Sequence, residues 1–258
     1  MSKRKKLKSN LAWSTTDRIV VQGHDLVGLI GNTSLGDFAF LELRGRLPTP
    51  AESAVFNAIA VTLVEHGLTP SAIAARLTYF GAPESLQGAV AAGILGMGSR
   101  FGGSIEEAAQ TLQESLASAA PDADLRDIAR DIVARHQRAK QPIAGLGHPI
   151  HKPADPRTAR LFAIAADNGL SGRHIELMQL ISEEASAAYG RDLPVNATGA
   201  IGAIIGELDF PWQVGRGLAV IARAIGLVAH IQEELAEPLA GEIWSRVDEE
   251  ASEHNRTD

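Results

Sequence analysis

The stretch Gly145-Leu146-Gly147-His148-Pro149-Ile150-His151-Lys152-Pro153-Ala154-Asp155-Pro156-Arg157 gathers more reactive side chains than any other part of the sequence. Imidazoles titrate near neutrality and suit proton transfer, and His148 and His151 supply two of them. Lys152 offers a point charge for a phosphate, and Arg157 a planar fork for a carboxylate. Asp155-Pro156 reads as the start of a helix. Composition alone leaves a second reading open, an irregular polar surface loop with no chemistry. No carboxylate pair accompanies His148 and His151 at ligand spacing, so no metal site is expected. A phosphate-cradling Gly-x-x-x-x-Gly-Lys-Ser/Thr and a dinucleotide fingerprint are both absent from the sequence.

The rhythm of the sequence that must position these groups is helical, with apolar residues recurring at three- and four-residue spacings. Thr49-Pro50-Ala51-Glu52 has the composition of a capping box with proline at the first helical position. The helix it opens repeats Val55, Phe56, Ile59, Leu63 and Val64 on one face and stops at Gly67. Ser104-Ile105-Glu106-Glu107 predicts a second box and a helix through Ala109, Leu112 and Leu116. Further helices are expected over 122–140 and 155–169. The one clear strand signal is Asp17 to Gly23, so the fold class is all-α. Glycines cluster over 93–103 and 145–147, with Gly199 and Gly202 further on. They fit either close backbone approach to a ligand or tight helix packing.

With 258 residues, 45% hydrophobic and 21% charged, the chain can bury one substantial core. Its net charge of −7 argues against a nucleic-acid partner. The basic run Lys3 to Lys8 reads as part of a flexible N-terminal tail over 1–16, with a folded domain over 17–258. No cysteine is present, which fits a cytoplasmic setting, and no secretory signal or uninterrupted membrane span is expected. The most apolar window, Gly217 to Ile231, carries Arg223 and His230 and is read as a buried core helix.

The histidine-bearing stretch resembles the Gly-x-Gly-His-x-x-x-Lys-x-x-Asp-Pro-Arg signature of citrate synthases and their relatives. Five further segments resemble that family in the same order: His24-Asp25-Leu26, Arg44 to Thr49, Glu65 to Ser71, Met97 to Gly103, and Ala222 to His230. The resemblance runs over about residues 20–245. It implies a citrate-synthase-like helical bundle with a large and a small helical subdomain, the small one lying on the coenzyme A side over roughly 105–200. It implies that His148 moves the proton of a substrate hydroxyl or carbonyl. His66, Arg157 and Arg223 would hold the carboxylates of a citrate- or oxaloacetate-like moiety. Lys152 and the backbone of Gly145, Leu146 and Gly147 would lie against coenzyme A, here part of a thioester substrate. His230 is expected to be structural. A homodimer is implied as well.

Two departures refine this. Phe101 stands where citrate synthases place a histidine before the Gly-Gly pair, and Arg-Phe-Gly-Gly resembles citryl-CoA lyase and the lyase module of ATP-citrate lyase. The chain length also suits that branch. Thr198, in Asn196-Ala197-Thr198-Gly199, stands where the family carries an aspartate near the carbon that gains or loses a proton. A hydroxyl cannot replace that acid near neutral pH, so a water or Asp192, six residues earlier, would have to supply the proton, and Glu207 and Asp209 are expected to be solvated. Missing cations at Pro149 and in Pro238 to Glu242 point to a substrate less acidic than citrate. The expected activity is cleavage of a 3-hydroxy-3-carboxyacyl-CoA such as citryl-CoA into acetyl-CoA and oxaloacetate. The alternatives are condensation with another keto acid and a catalytically weakened CoA-thioester-binding protein.

Overall fold

A computed structural model describes residues 7–99, 102–147 and 155–255. His148, Lys152 and Phe101 lie outside the described residues. Near the start, β1 (Ala12–Ser14), β2 (Ile19–Val21) and β3 (His24–Asp25) form an antiparallel meander. Gln22 and Gly23, at φ +48° and +83°, make the two-residue turn between β2 and β3. Ordered pairing therefore begins inside the stretch expected as a tail, because Ala12 to Ser14 are in register with β2.

The rest is helical, with twelve α-helices among the described residues. Asp25 caps the short α1 (Leu26–Leu29) and Ser34 caps α2 (Leu35–Arg44). α3 (Pro50–Val64) carries the expected capping box: Thr49 Oγ1 accepts from the Glu52 amide at 3.2 Å, and Glu52 Oε2 from the Thr49 amide at 2.8 Å. The Arg46 guanidinium holds the Glu52 carboxyl down at about 2, with the Thr49 donors adding to it against burial. α4 (Pro70–Gly81) and α5 (Leu86–Leu95) follow.

The second expected box does not form. α6 (Gly103–Ser118) starts one residue before Ser104 and has no side-chain cap. Gly102 takes the cap position at φ +94°, and the Gly103 amide donates to Gly98 at 3.1 Å, so Ser104 is already inside the helix. α7 (Leu125–Ala139) and α8 (Pro156–Asp167) match the two expected helices within a few residues, capped by Asp124 and Asp155.

α9 (Arg173–Tyr189), α10 (Ala197–Glu207), α11 (Val214–Ala236) and α12 (Ala240–Ser252) complete the bundle. α10 is its centre, buried continuously from Gly199 to Ile205 and packed on α6, α8 and α9. Gly202 permits this closeness, since a Cβ there would meet the Ala109 amide of α6 at 3.0 Å. Phe40, Phe56 and Phe210 meet beside it with ring centroids 5.3–5.8 Å apart, two pairs edge-on and one stacked.

By length and composition α11 could cross a membrane, yet half of its apolar window is buried within the protein. Arg223, His230 and Glu234 lie among its buried residues. This agrees with the reading of 217–231 as a core helix.

Candidate active site

A cleft of about 690 Å³ brings together His66, Gly145, Gly147, Arg157, Thr198 and Arg223, contributed by five separate parts of the chain. Leu146 lies in its wall as well. A larger groove of about 920 Å³ runs between α6 and α7, lined by residues such as Gln110, Asp131 and His136, and contains none of the expected site residues. Chemistry, not size, selects the first.

His66 sits, half-buried, in the turn between α3 and α4. Its amide and that of Gly67 both donate to Glu65 Oε1 at 2.7 Å, and Gly67 turns the chain at φ +71°. Burial raises the Glu65 pKa, but the His66 amide, the His230 ring and the Gly67 amide together hold it below the usual carboxylate range.

Arg223 enters the cleft from α11. Its Nε and Nη1 are buried and have no hydrogen-bond partner among the described residues. Burial weakens its hold on its proton, Glu65 opposes that, and Arg157 adds to it. A buried guanidinium without its acceptors is costly. Arg223 lines the cleft beside a second arginine, Arg157, and two cations in one cleft suit an anion.

Arg157, in the first turn of α8, is part of a local ion pair. Its Nε and Nη2 donate to the two Asp155 oxygens at 3.0 and 2.8 Å. Asp155 also caps α8 through the Arg157 amide at 3.1 Å and accepts from the Ala197 amide of α10 at 3.1 Å. Burial pushes its carboxyl up, yet the Arg157 side chain, the Arg157 and Ala197 amides and the guanidinium charge bring it down to about 2. One buried carboxylate thus fixes an arginine and two helix starts.

This arrangement has a pH signature. A carboxyl whose folded pKa is depressed contributes stability that is present above the ordinary value and lost as pH falls toward the folded one. Asp155→Asn is expected to lose about 2 kcal/mol near neutrality. Its deficit should shrink as pH falls below about 4 toward the folded pKa of about 2. Urea unfolding of both proteins across that range checks this; a pH-independent deficit would assign the effect to packing.

Gly145 and Gly147, at φ +88° and +66°, bend the chain beneath the cleft. The Gly145 carbonyl accepts from the Asn196 amide at 2.9 Å, and the Gly147 amide donates to Pro194 at 2.7 Å. Asn196 then unites the site. Its Nδ2 donates to the Gly147 carbonyl at 2.6 Å, and its Oδ1 caps α10 by accepting from the amides of Thr198 and Gly199. The Thr198 hydroxyl also donates to that Oδ1, at 2.7 Å. Its proton is committed there, so Thr198 offers the cleft an acceptor lone pair and no acid.

Asp192 is not in the wall of the cleft; among the described lining residues Glu107 is the one carboxylate. Glu207 is not solvated as expected. It accepts from the amides of His174 and Ile175 at 2.8 and 3.1 Å, capping α9 from α10, while Asp209 is exposed and pairs with Arg44 at 2.8 Å. Asp155, Asn196 and Glu65 are the site residues that spacing did not reveal. Asp155 was visible as a helix start, but its hold on Ala197, 42 residues away, leaves no local mark.

A helical bundle with an anion-accepting cleft at the junction of α3, α8, α10 and α11 defines the class of protein. The family model for the citrate synthase C-terminal domain matches residues 12–244, and the chain belongs to the citrate synthase family. The chain is similar in fold to citryl-CoA lyase from Hydrogenobacter thermophilus, at 38% identity. Its TM-score is 0.82, covering 90% of this chain and 88% of that one. ATP citrate lyase from Methanothrix soehngenii, solved with citrate and coenzyme A, shares the fold at 21% identity. Its TM-score is 0.77, covering 92% of this chain and 40% of that one. ATP-citrate synthase beta chain protein 2 of Arabidopsis thaliana is 28% identical over 217 residues, 77% of this chain and 34% of its own length. The chain spans about a third of the length of that relative.

Proposed function

We propose that this protein is a citryl-CoA lyase-like enzyme, cleaving a 3-hydroxy-3-carboxyacyl-CoA such as citryl-CoA to acetyl-CoA and oxaloacetate. The observation that carries the reading is Arg223, a buried guanidinium with two unpartnered donors in a cleft it shares with His66 and Arg157. The likeness to a citryl-CoA lyase at 38% identity over 90% of this chain supports it.

In this mechanism Arg223 and Arg157 hold the carboxylates of the citryl group, and His66 orients it by hydrogen bonding. His148 takes the proton of the tertiary hydroxyl. The carbon–carbon bond then breaks, its electron pair moving to the acyl-CoA as an enolate while the hydroxyl carbon becomes the keto group of oxaloacetate. The enolate carbon must then gain a proton, which Thr198 cannot supply because its own is held by Asn196. A water molecule admitted beside Thr198 fills that role. The 145–147 turn and Lys152 take the coenzyme A portion. A second cavity of about 460 Å³ shares Pro142, Ile143 and Leu146 with the cleft and carries Lys140 and Arg191, a setting for phosphates.

The protein acts as a homodimer in this reading. Ile221, Ile225, Val228 and Leu235 are exposed on α11 in an apolar stripe that a partner would cover.

Thr198 favours one other reading, a CoA-thioester-binding protein with little turnover. Titration of His148→Ala with citryl-CoA and with acetyl-CoA tests the substrate. Citryl-CoA is expected to bind at least about tenfold more tightly, because only it brings carboxylates to Arg223. Equal affinities would contradict the assignment.

A further inference from the structure

The buried polar groups of α11 beyond the cleft form one connected chain. Arg76 on α4 is fully buried. Its Nε and Nη2 lie 3.2 and 3.1 Å from Nδ1 of His230. Its Nη1 donates to Glu234 Oε2 at 2.6 Å, and Nη2 also pairs with Glu233. The other Glu234 oxygen accepts from the Leu239 and Ala240 amides, which open α12, at 2.8 and 2.7 Å. Across the imidazole, His230 Nε2 lies 3.1 Å from Glu65 Oε1. That is the oxygen that receives the amides of His66 and Gly67.

An arginine N–H can only donate. Nδ1 of His230 is therefore the acceptor, and the ring's one proton sits on Nε2, where it donates to Glu65. Protonating Nδ1 as well would aim an N–H at a guanidinium that has no lone pair to offer. The charged groups facing the ring are Arg76 from α4 and Glu65 from the turn after α3, with Glu233 and Glu234 of α11 acting through Arg76.

The spacing of α11 makes the chain possible. Arg223, Gly226 and His230 lie three and four apart and share one helix face. A Cβ at Gly226 would collide with the Val64 carbonyl and stand 3.1 Å from Glu65 Oε2. The bare backbone at 226 thus lies directly on residues 64–65. From there Arg223 reaches the cleft beside His66, and His230 reaches the carboxylate that holds the His66 turn.

We propose that His230 is a positioning residue for His66: Arg76 fixes its tautomer, the ring fixes Glu65, and Glu65 fixes the His66–Gly67 amides. Its consequence for turnover rests on the lyase reading, whereas the geometric link stands apart from it. A network that merely tied α4, α11 and α12 together would leave His66 where it is when the ring is removed.

Ring and amide spectra of protein labelled with ¹⁵N in its histidines separate the two. His230 should show a protonated Nε2 and a bare Nδ1. His230→Leu should move the ring and amide signals of His66 and lower citryl-CoA cleavage by about 100-fold, the usual scale for a group misplaced by about 1 Å. His230→Gln, whose side-chain amide can donate to Glu65 from about the Nε2 position, should restore the His66 signals and most of the turnover. A proton on Nδ1, or His66 signals unmoved in His230→Leu, would overturn the proposal. Should His230→Leu not fold, Glu65→Ala at the half-exposed end of the chain must move the same signals, and unmoved signals there overturn it equally. If the wild-type protein cleaves no citryl-CoA, the lyase reading fails, while the spectra still decide the link.

Discussion

Replacing Arg223 with methionine is expected to make the protein more stable and disable it. In the free protein two guanidinium donors of Arg223 are buried without acceptors, while Glu65 supplies only charge compensation at a distance. A buried cation in that condition stabilises nothing locally, and an apolar side chain of similar length should raise stability by about 1–3 kcal/mol. For a domain of this size that corresponds to a rise in Tm of about 2–10 °C. In the proposed lyase the same change removes a charge-assisted contact to a substrate carboxylate, and kcat/KM for citryl-CoA should fall by about 10²–10³-fold. Thermal scans and a cleavage assay on one preparation read both effects. A lower Tm together with retained activity would mean that Arg223 is a structural core residue.

Gly145→Ala is expected to cost about 2–5 kcal/mol, from two sources of similar size. At φ +88° an L-residue with a Cβ is strained by about 1–2 kcal/mol. The new Cβ would also stand 2.6 Å from the Gly199 Cα and 3.2 Å from its amide nitrogen. Those atoms belong to the fully packed start of α10 and cannot yield as a side chain tip would, which adds about 1–3 kcal/mol of overpacking. Gly169→Ala separates the two sources, since Gly169 has φ +70° but nothing within 4 Å of its Cβ position. It should cost only about 1 kcal/mol. Urea midpoints compare them, and equal losses would remove the close approach of the 145–147 turn to α10 from the account.

How far the sequence could be read depended on the range of each interaction. The Thr49–Glu52 box is closed within four residues, and it formed as its spacing predicts. Ser104 to Glu107 has the same wording, but the neighbouring Gly102 and Gly103 take the turn that a serine cap would have made. Local pattern could not show that a glycine pair would win there. Glu207 looked solvated because the two amides it receives belong to a different helix. The Arg223, Gly226 and His230 spacing was legible as a family pattern. Its reason, a helix resting on the Val64 carbonyl, appears only once α3 and α11 are packed together. The strand Ala12 to Ser14 sits in a stretch whose composition resembles a tail, and its pairing with β2 is what orders it.

Thr198 is where the family resemblance and the bottom-up chemistry diverge most. The family pattern asks for an acid at that position, and the hydroxyl found there donates its hydrogen bond to Asn196. In the proposed lyase, carbon–carbon cleavage therefore proceeds without a side-chain carboxyl at 198.

The most direct test is to incubate the wild-type protein with citryl-CoA and quantify oxaloacetate and acetyl-CoA separately, beside His148→Ala. The account predicts that both products appear in equal amounts and that release is lost in the mutant. Binding of citryl-CoA with no release of either product would contradict it and leave a thioester-binding protein in the same fold.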